Sequence, residues 1–135
     1  MDISCVILTW NSEKYISKCL ESLLRDLDEN QFSYEIFIVD NGSVDNTTEI
    51  INSYKDKFPQ CIFPIYLKKN TGTTYSRNLA LRKVEGSYIV IMDSDVVIAI
   101  WTRSIAQTVR RHLQQHHIGK HVPVDTGLLI LRRIY

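Results

Sequence analysis

Four short apolar runs, rich in β-branched residues, each stop abruptly on a polar cluster, and that repeated pattern limits the folds open to this chain. The runs are residues 3–8 (Ile-Ser-Cys-Val-Ile-Leu), 34–39 (Tyr-Glu-Ile-Phe-Ile-Val), 61–67 and 87–92 (Ser-Tyr-Ile-Val-Ile-Met). Runs so short and continuous read as strands buried on both faces. Pro64 removes an amide donor and assigns the third run to a sheet edge or a bulge. Helical spacing fills the gaps. Tyr15, Ile16, Cys19, Leu20, Leu23, Leu24 and Leu27 recur at three-four intervals, with Asn11 or Ser12 as the expected N-cap. Asp45 is expected to cap a second helix with Ile50, Ile51, Tyr54 and Phe58 inward. A third, entered through Thr71-Gly72-Thr73-Thr74, turns Leu79, Ala80 and Val84 inward and is expected to stop at Gly86.

The resulting order, βαβαβαβ, implies an α/β fold: a mostly parallel sheet, right-handed crossovers and helices on both faces. In such sheets ligands bind beyond the carboxyl ends of the strands. Thr9-Trp10-Asn11, Asp40-Asn41-Gly42-Ser43, Lys68-Lys69-Asn70 and Asp93-Ser94-Asp95 all fall there.

The chain has 135 residues, 44% of them hydrophobic, enough for one core. Its net charge of +1 gives no global attraction to nucleic acid or membrane, and no nucleic-acid partner is expected. No apolar run approaches the roughly 18 residues a bilayer requires. The start, Met1-Asp2-Ile3-Ser4-Cys5, lacks the basic lead of a secretory signal. Cys5, Cys19 and Cys61 are odd in number and irregularly spaced, so reduced thiols are expected, in a cytoplasmic protein. Charge divides the chain near residue 96. Residues 1–95 carry ten Lys/Arg against fourteen Asp/Glu; residues 96–135 carry six against Asp125 alone, together with all four histidines. We therefore expect a core over 1–97 and a divergent segment over 98–135, with a helix from Thr102 to about His116, ended by Gly119-Lys120, and a strand over 126–133.

Several clusters bear chemistry. Asp93 and Asp95, two residues apart after a buried strand, suit a hard divalent ion, which prefers oxygen and takes few protein carboxylates; a solvated turn or helix cap uses the same residues. Asp40 and Asn41 offer a carboxylate and an amide to the edge of a base, or form a tight turn. Trp10 offers a ring for stacking, or covers the sheet end. Arg77 suits a diphosphate or pairs with an acid such as Asp40. His112 and His116 are spaced for zinc but lack a third ligand, so a solvated helix end is the better reading. Neither a serine–histidine hydrolase signature nor a P-loop is present.

In order, Val6-Ile7-Leu8-Thr9-Trp10-Asn11, Ile38-Val39-Asp40-Asn41-Gly42-Ser43-Val44-Asp45-Asn46-Thr47, Asn70-Thr71-Gly72 with Ser76-Arg77-Asn78, and Gly86-Ser87-Tyr88-Ile89-Val90-Ile91-Met92-Asp93-Ser94-Asp95 resemble the family-2 glycosyltransferases of the GT-A, Rossmann-like fold. The resemblance covers about residues 2–97. It implies a nucleotide-diphospho-sugar donor, a Mg²⁺ or Mn²⁺ cofactor, and inverting transfer to a hydroxyl of a carbohydrate or lipid-linked acceptor. By that resemblance Thr9 and Trp10 border the base, Asp40 and Asn41 hold base and ribose, and Arg77 approaches the base or diphosphate. Asp93 lies near the ribose or sugar, and Asp95, with Asp93, holds the metal. Asn41 stands where the family commonly has an acid.

An inverting transferase also needs a base on the acceptor side. Beyond Asp95 the sole carboxylate is Asp125, the candidate base. The chain is about half the family's usual catalytic length, so a truncated GT-A core is expected. Two readings follow: a minimal metal-dependent transferase, or a donor-binding fragment without acceptor machinery. A nucleotidyltransferase ranks last, because residues 9–13 are neither glycine-rich nor basic. Apolar strand edges and the segment 96–101 need cover, so a homodimer is expected. The cytoplasm, or the inner membrane face beside acceptor machinery, is the expected location.

Overall fold

The computed structural model describes residues 1–98, 105–114, 122–124 and 128–132. Its elements are β1 (Ile3–Thr9), α1 (Ile16–Glu29), β2 (Tyr34–Asp40), α2 (Thr47–Lys57), β3 (Ile62–Tyr66), α3 (Thr73–Leu81), β4 (Tyr88–Asp93), α4 (Ile105–Gln114), β5 (Val122–Val124) and β6 (Leu128–Arg132). One sheet has the order β3-β2-β1-β4-β6-β5. Strands β1 to β4 are parallel, while β6 runs antiparallel beside β4 and pairs antiparallel with β5. The expected α/β architecture is present, with β3 at an edge where Pro64 is tolerated. Strand β5, three residues long around Pro123, is too short to leave a periodic signal.

Alternation along the strands builds two cores. Ile3, Cys5 and Ile7 of β1, Ile36 and Ile38 of β2, and Tyr88, Val90 and Met92 of β4 face α1, α2 and α4. Helix α1 contributes Ile16, Cys19, Leu20, Leu23, Leu24 and Leu27 to this larger core. Val6, Leu8, Phe37, Val39 and Ile91 face the other way, against Ala80 of α3 and Val84 just beyond it. Val96 and Ile98 also pack on the larger core, so this part of the apolar 96–101 segment is covered within the chain; residues 99–101 lie outside the described residues. No helix among the described residues is long and apolar enough to cross a membrane.

Four expectations about the helices are corrected. Helix α1 begins at Ile16 after Tyr15, with no side-chain cap from Asn11 or Ser12; both of those side chains bond elsewhere, as shown below. Tyr15 is 54% exposed rather than inward. Leu81, rather than Leu79, packs with Ala80. Helix α3 ends at Leu81, five residues before Gly86. Asp45 does act at the start of α2, accepting the Thr47 N–H at 3.0 Å, with Asn46 as the terminal residue. The other calls on the C-terminal segment, Thr102, His116, Gly119-Lys120 and residue 133, fall outside the described residues.

Gly86 has a different role. A Cβ there would lie 2.5 Å from the Ser4 backbone nitrogen and 2.7 Å from the Ile3 carbonyl carbon. Its N–H donates to Ser4 Oγ at 2.7 Å, and that hydroxyl donates to the buried Glu35 carboxylate, which also accepts the Glu85 N–H at 2.7 Å. The three bonds seal the amino-terminal end of the sheet and satisfy a carboxylate that would otherwise be costly to bury. Gly86→Ala is expected to destabilise the fold by about 1–3 kcal/mol, because the atoms in its way are backbone; an unchanged urea midpoint would refute this.

Cys5 and Cys19 lie in the larger core and Cys61 is half-buried, all unbonded to one another. Burial, followed by the nearby Asp95 and Asp93 charges, pushes the Cys19 thiol up to about 12, and burial raises Cys5 further. Between the ordinary value of 9.0 and about 12 the folded chain keeps a proton that the unfolded chain releases. Stability contributed by Cys19 is therefore complete below pH 9.0 and falls as pH rises toward 12. At pH 8 a thiol reagent should modify Cys61 first and reach Cys5 and Cys19 only on unfolding; equal rates for Cys19 and Cys61 would contradict the burial.

Candidate functional site

Strand register brings the polar clusters together. Thr9 stands opposite Asp40, Asp40 opposite Tyr66, and Leu8 opposite Asp93. Bonds continue past the strands: Asn41 N–H to the Thr9 carbonyl at 2.9 Å, Leu67 N–H to Asp40 at 2.9 Å, and Ser94 N–H to Leu8 at 3.2 Å. The strand ends thus form one row. Above it opens a cleft of about 400 Å³, lined by residues 8–12, Tyr15, Asn41, Asn70, Thr73 and residues 93–95.

The loop after β1 is fastened to the loop after β2. Asn11, with φ of +46°, accepts the Val44 N–H on its side chain at 2.9 Å and donates its own N–H to Ser43 Oγ, again at 2.9 Å. The Ser12 N–H donates to Thr47 Oγ1 at 2.8 Å, and Glu13 and Asp45 exchange bonds with the opposite loop at 3.1 and 3.2 Å. On the other side the Ser12 hydroxyl lies 2.6 Å from that of Ser94, the middle residue of Asp93-Ser94-Asp95, and donates to the Trp10 carbonyl at 3.1 Å. These contacts hold Trp10, 53% exposed, and Tyr15 at the cleft rim.

Most of the candidate residues gather around this cleft. Thr9 is buried, yet its hydroxyl has no hydrogen-bond partner. Arg77 on α3 donates to Asp93 Oδ1 at 2.8 Å, so its partner is Asp93 rather than Asp40, and the buried Arg77 Nε is unpartnered. Asp95 is exposed and lines the cleft. Asn41 lines it too, but both ends of its amide are bonded within the protein, to Asn70 and to Thr71. Asp40 is a buried member of the row, accepting from Ser43 and from Thr48 at 3.2 Å, and does not line the cleft. Asp125 lies outside the described residues. Tyr15, Ser12 and Ser94 are cleft residues that helical periodicity and motif reading did not single out; Tyr15 carries the same three-four spacing as the core positions, so only its place before the helix start distinguishes it.

Among the described residues no three His, Cys, Asp or Glu side chains converge. Asp93 and Asp95 are an oxygen-only pair on one short turn, and Arg77 occupies a single oxygen of Asp93. Such a pair fits a hard divalent ion that draws its remaining ligands from phosphate and water, and the Arg77 guanidinium beside it fits the same phosphates.

The model of the family described as Glycosyl transferase family 2 matches residues 4–127. The poly(ribitol-phosphate) β-glucosyltransferase of Bacillus spizizenii is 38% identical over 95 residues, 70% of this chain and 15% of its own. The poly(ribitol-phosphate) β-N-acetylglucosaminyltransferase TarS of Staphylococcus aureus is 30% identical over 117 residues, 87% of this chain and 20% of its own. A solved structure of S. aureus TarS in complex with UDP-GlcNAc matches with a TM-score of 0.66 and 26% identity, over 92% of this chain and 37% of that one. A mannosyltransferase of Pyrobaculum calidifontis, solved with GDP-Man and Mn²⁺, shares the fold at a TM-score of 0.69 and 22% identity, over 82% of this chain and 32% of that one. The chain thus spans well under half the length of each of these proteins.

Proposed function

This chain belongs to glycosyl transferase family 2, and from that membership we propose that it binds a nucleotide-diphospho-sugar in the cleft at the carboxyl ends of its parallel strands and serves inverting sugar transfer to an acceptor hydroxyl. One observation carries the reading: Asp93, paired with Arg77, and the exposed Asp95 stand on the same cleft as Trp10 and Thr9, whose hydroxyl is unsatisfied. Buried polar atoms without partners are rare in folded proteins, and a ligand that supplies the missing partners accounts for them. Trp10 offers a face to the base. Arg77 directs its guanidinium to the diphosphate, and Asp93 orients Arg77 while keeping an oxygen for the sugar-bearing end of the donor. Asp95, with Asp93, would hold Mg²⁺ or Mn²⁺, which as a Lewis acid would stabilise the leaving diphosphate. The relatives named as glucosyl- and N-acetylglucosaminyltransferases, and the TarS complex with UDP-GlcNAc, support this donor class.

Transfer with inversion breaks the bond between the sugar C1 and the diphosphate as the acceptor oxygen attacks from the opposite face, and the acceptor proton passes to a base. Asp125, the sole carboxylate beyond Asp95, is our candidate for that base. The same scarcity of carboxylates favours a second reading, a donor-binding module that leaves the transfer step to other residues.

Calorimetric titration with UDP, dTDP and GDP, with and without Mn²⁺, tests the donor site. At least one nucleotide is expected to bind in a metal-dependent manner, and Asp95→Ala is expected to lower that affinity about tenfold or more, the scale of one lost charged contact. Absence of binding by all three, or binding indifferent to both metal and Asp95, would overturn the proposal. With a bound donor established, Asp125→Asn separates the two readings: loss of transfer without loss of nucleotide affinity marks Asp125 as the base.

A further inference from the structure

Asn41 was expected to touch the base or ribose, but its hydrogen bonds point elsewhere. The side chain is 3% exposed. Its Oδ1 accepts the Thr71 backbone N–H at 2.9 Å, with the hydroxyls of Ser76 at 3.0 Å and Thr71 at 3.3 Å on the same oxygen. A backbone N–H only donates, so this contact fixes which end of the amide is oxygen. The Nδ2 group therefore faces Asn70 Oδ1 at 3.0 Å and the Gly72 carbonyl at 3.5 Å. The Asn70 side chain is oriented by the same logic, because its Oδ1 also accepts the Gly72 N–H at 2.9 Å. Both groups facing Asn41 Nδ2 are thus acceptors, and only a donor fits between them.

From this we infer that Asn41 is a positioning residue: its amide ties the 70–72 loop and the start of α3 to the end of β2, and so sets Arg77 against Asp93 of the donor cleft, an assignment that rests on the donor-site reading above. The physical chain is short. Asn41 is itself fixed to the sheet, its N–H donating to the Thr9 carbonyl at 2.9 Å. Ser76, fully buried against Asn41, is the residue before Arg77, and its hydroxyl also reaches the Gly72 carbonyl at 2.7 Å. Gly42 extends the lock by close approach: at φ of +79° it brings its Cα so near the next loop that a Cβ would lie 2.7 Å from the Lys69 carbonyl carbon. An acid at position 41 keeps the Thr71 and Ser76 contacts, since those need an acceptor, but sets a carboxylate oxygen against Asn70 Oδ1 and the Gly72 carbonyl. That arrangement is a buried like-dipole clash with an unpaired charge. The amide is therefore required here by the loop it holds, irrespective of which base the cleft accepts.

Asn41→Asp isolates the donor end of this interaction. UDP and GDP would be titrated in Mn²⁺ into the wild type and Asn41→Asp, with hydrogen exchange of the Gly72 amide followed in each. The single variant should weaken every nucleotide that the wild type binds by one common factor of about ten and should speed Gly72 exchange as Asn70 swings away. Unequal factors for UDP and GDP would mean that Asn41 reads the base directly and would overturn the inference, as would unchanged Gly72 exchange. Should Asn41→Asp fail to fold, Asn70→Ala removes the facing acceptor from the exposed side and must produce the same two effects. A wild type that binds neither nucleotide refutes the donor reading of the cleft, and Gly72 exchange in Asn41→Asp then decides the loop assignment alone.

Discussion

The parallel pairing of β1 with both β2 and β4 is the constraint on which the rest depends. Ile3 stands level with Tyr34 on one side and Tyr88 on the other, and the three strands are of nearly equal length. They consequently end together, which is why Thr9, Asp40 and Asp93 form a row although they lie far apart in the sequence. A slip of one residue in either pairing would turn Cys5 and Ile7 away from α1 and break that row at once. The larger core enforces the register: β1 side chains on that face are wholly buried, and Gly86 and Ser4 close the opposite end of the sheet.

Above the row, polar contacts perform the task that apolar packing performs below it. The loops after β1, β2, β3 and β4 are tied to one another by hydrogen bonds: Asn11 with Val44, Ser12 with Thr47 and Ser94, Asn41 with Asn70 and Thr71. Charge is concentrated where the fold leaves it unspent. Arg77 and Asp93 satisfy one another only in part, since Arg77 Nε remains unpartnered and Asp95 stands exposed. A rigid frame carrying incompletely satisfied groups is the arrangement expected of a pre-formed binding site.

Much of this is legible in the sequence, for identifiable reasons. Strands buried on both faces leave runs such as residues 36–39 that no other element imitates, and α1 repeats its leucines too regularly to be anything but an amphipathic helix. Pro64 marks the edge because a missing amide donor is tolerated there. The failures share one cause, which is that a local pattern does not say which long-range partner a side chain takes. Ser12 looks like a cap but bonds to Ser94, 82 residues away, and Gly86 looks like a helix stop but serves close approach to Ser4. In the site, the Asp-x-Asp turn and Arg77 are readable, because charged residues after a buried strand have few alternatives. The division of labour within Asp40-Asn41 is not, because burying Asp40 under Thr48 and turning Asn41 to the next loop both depend on tertiary neighbours.

The central claim is that the carboxyl end of the parallel sheet is where this chain meets a nucleotide diphosphate. Backbone amide chemical shifts recorded during addition of UDP and Mn²⁺ test it most directly. The account predicts shifts concentrated in residues 9–12, 70–77 and 93–95, with the amino-terminal end of the sheet, Asp2, Ser33 and Gly86, unmoved. Shifts centred on that opposite end, or no saturable shift anywhere, would contradict it.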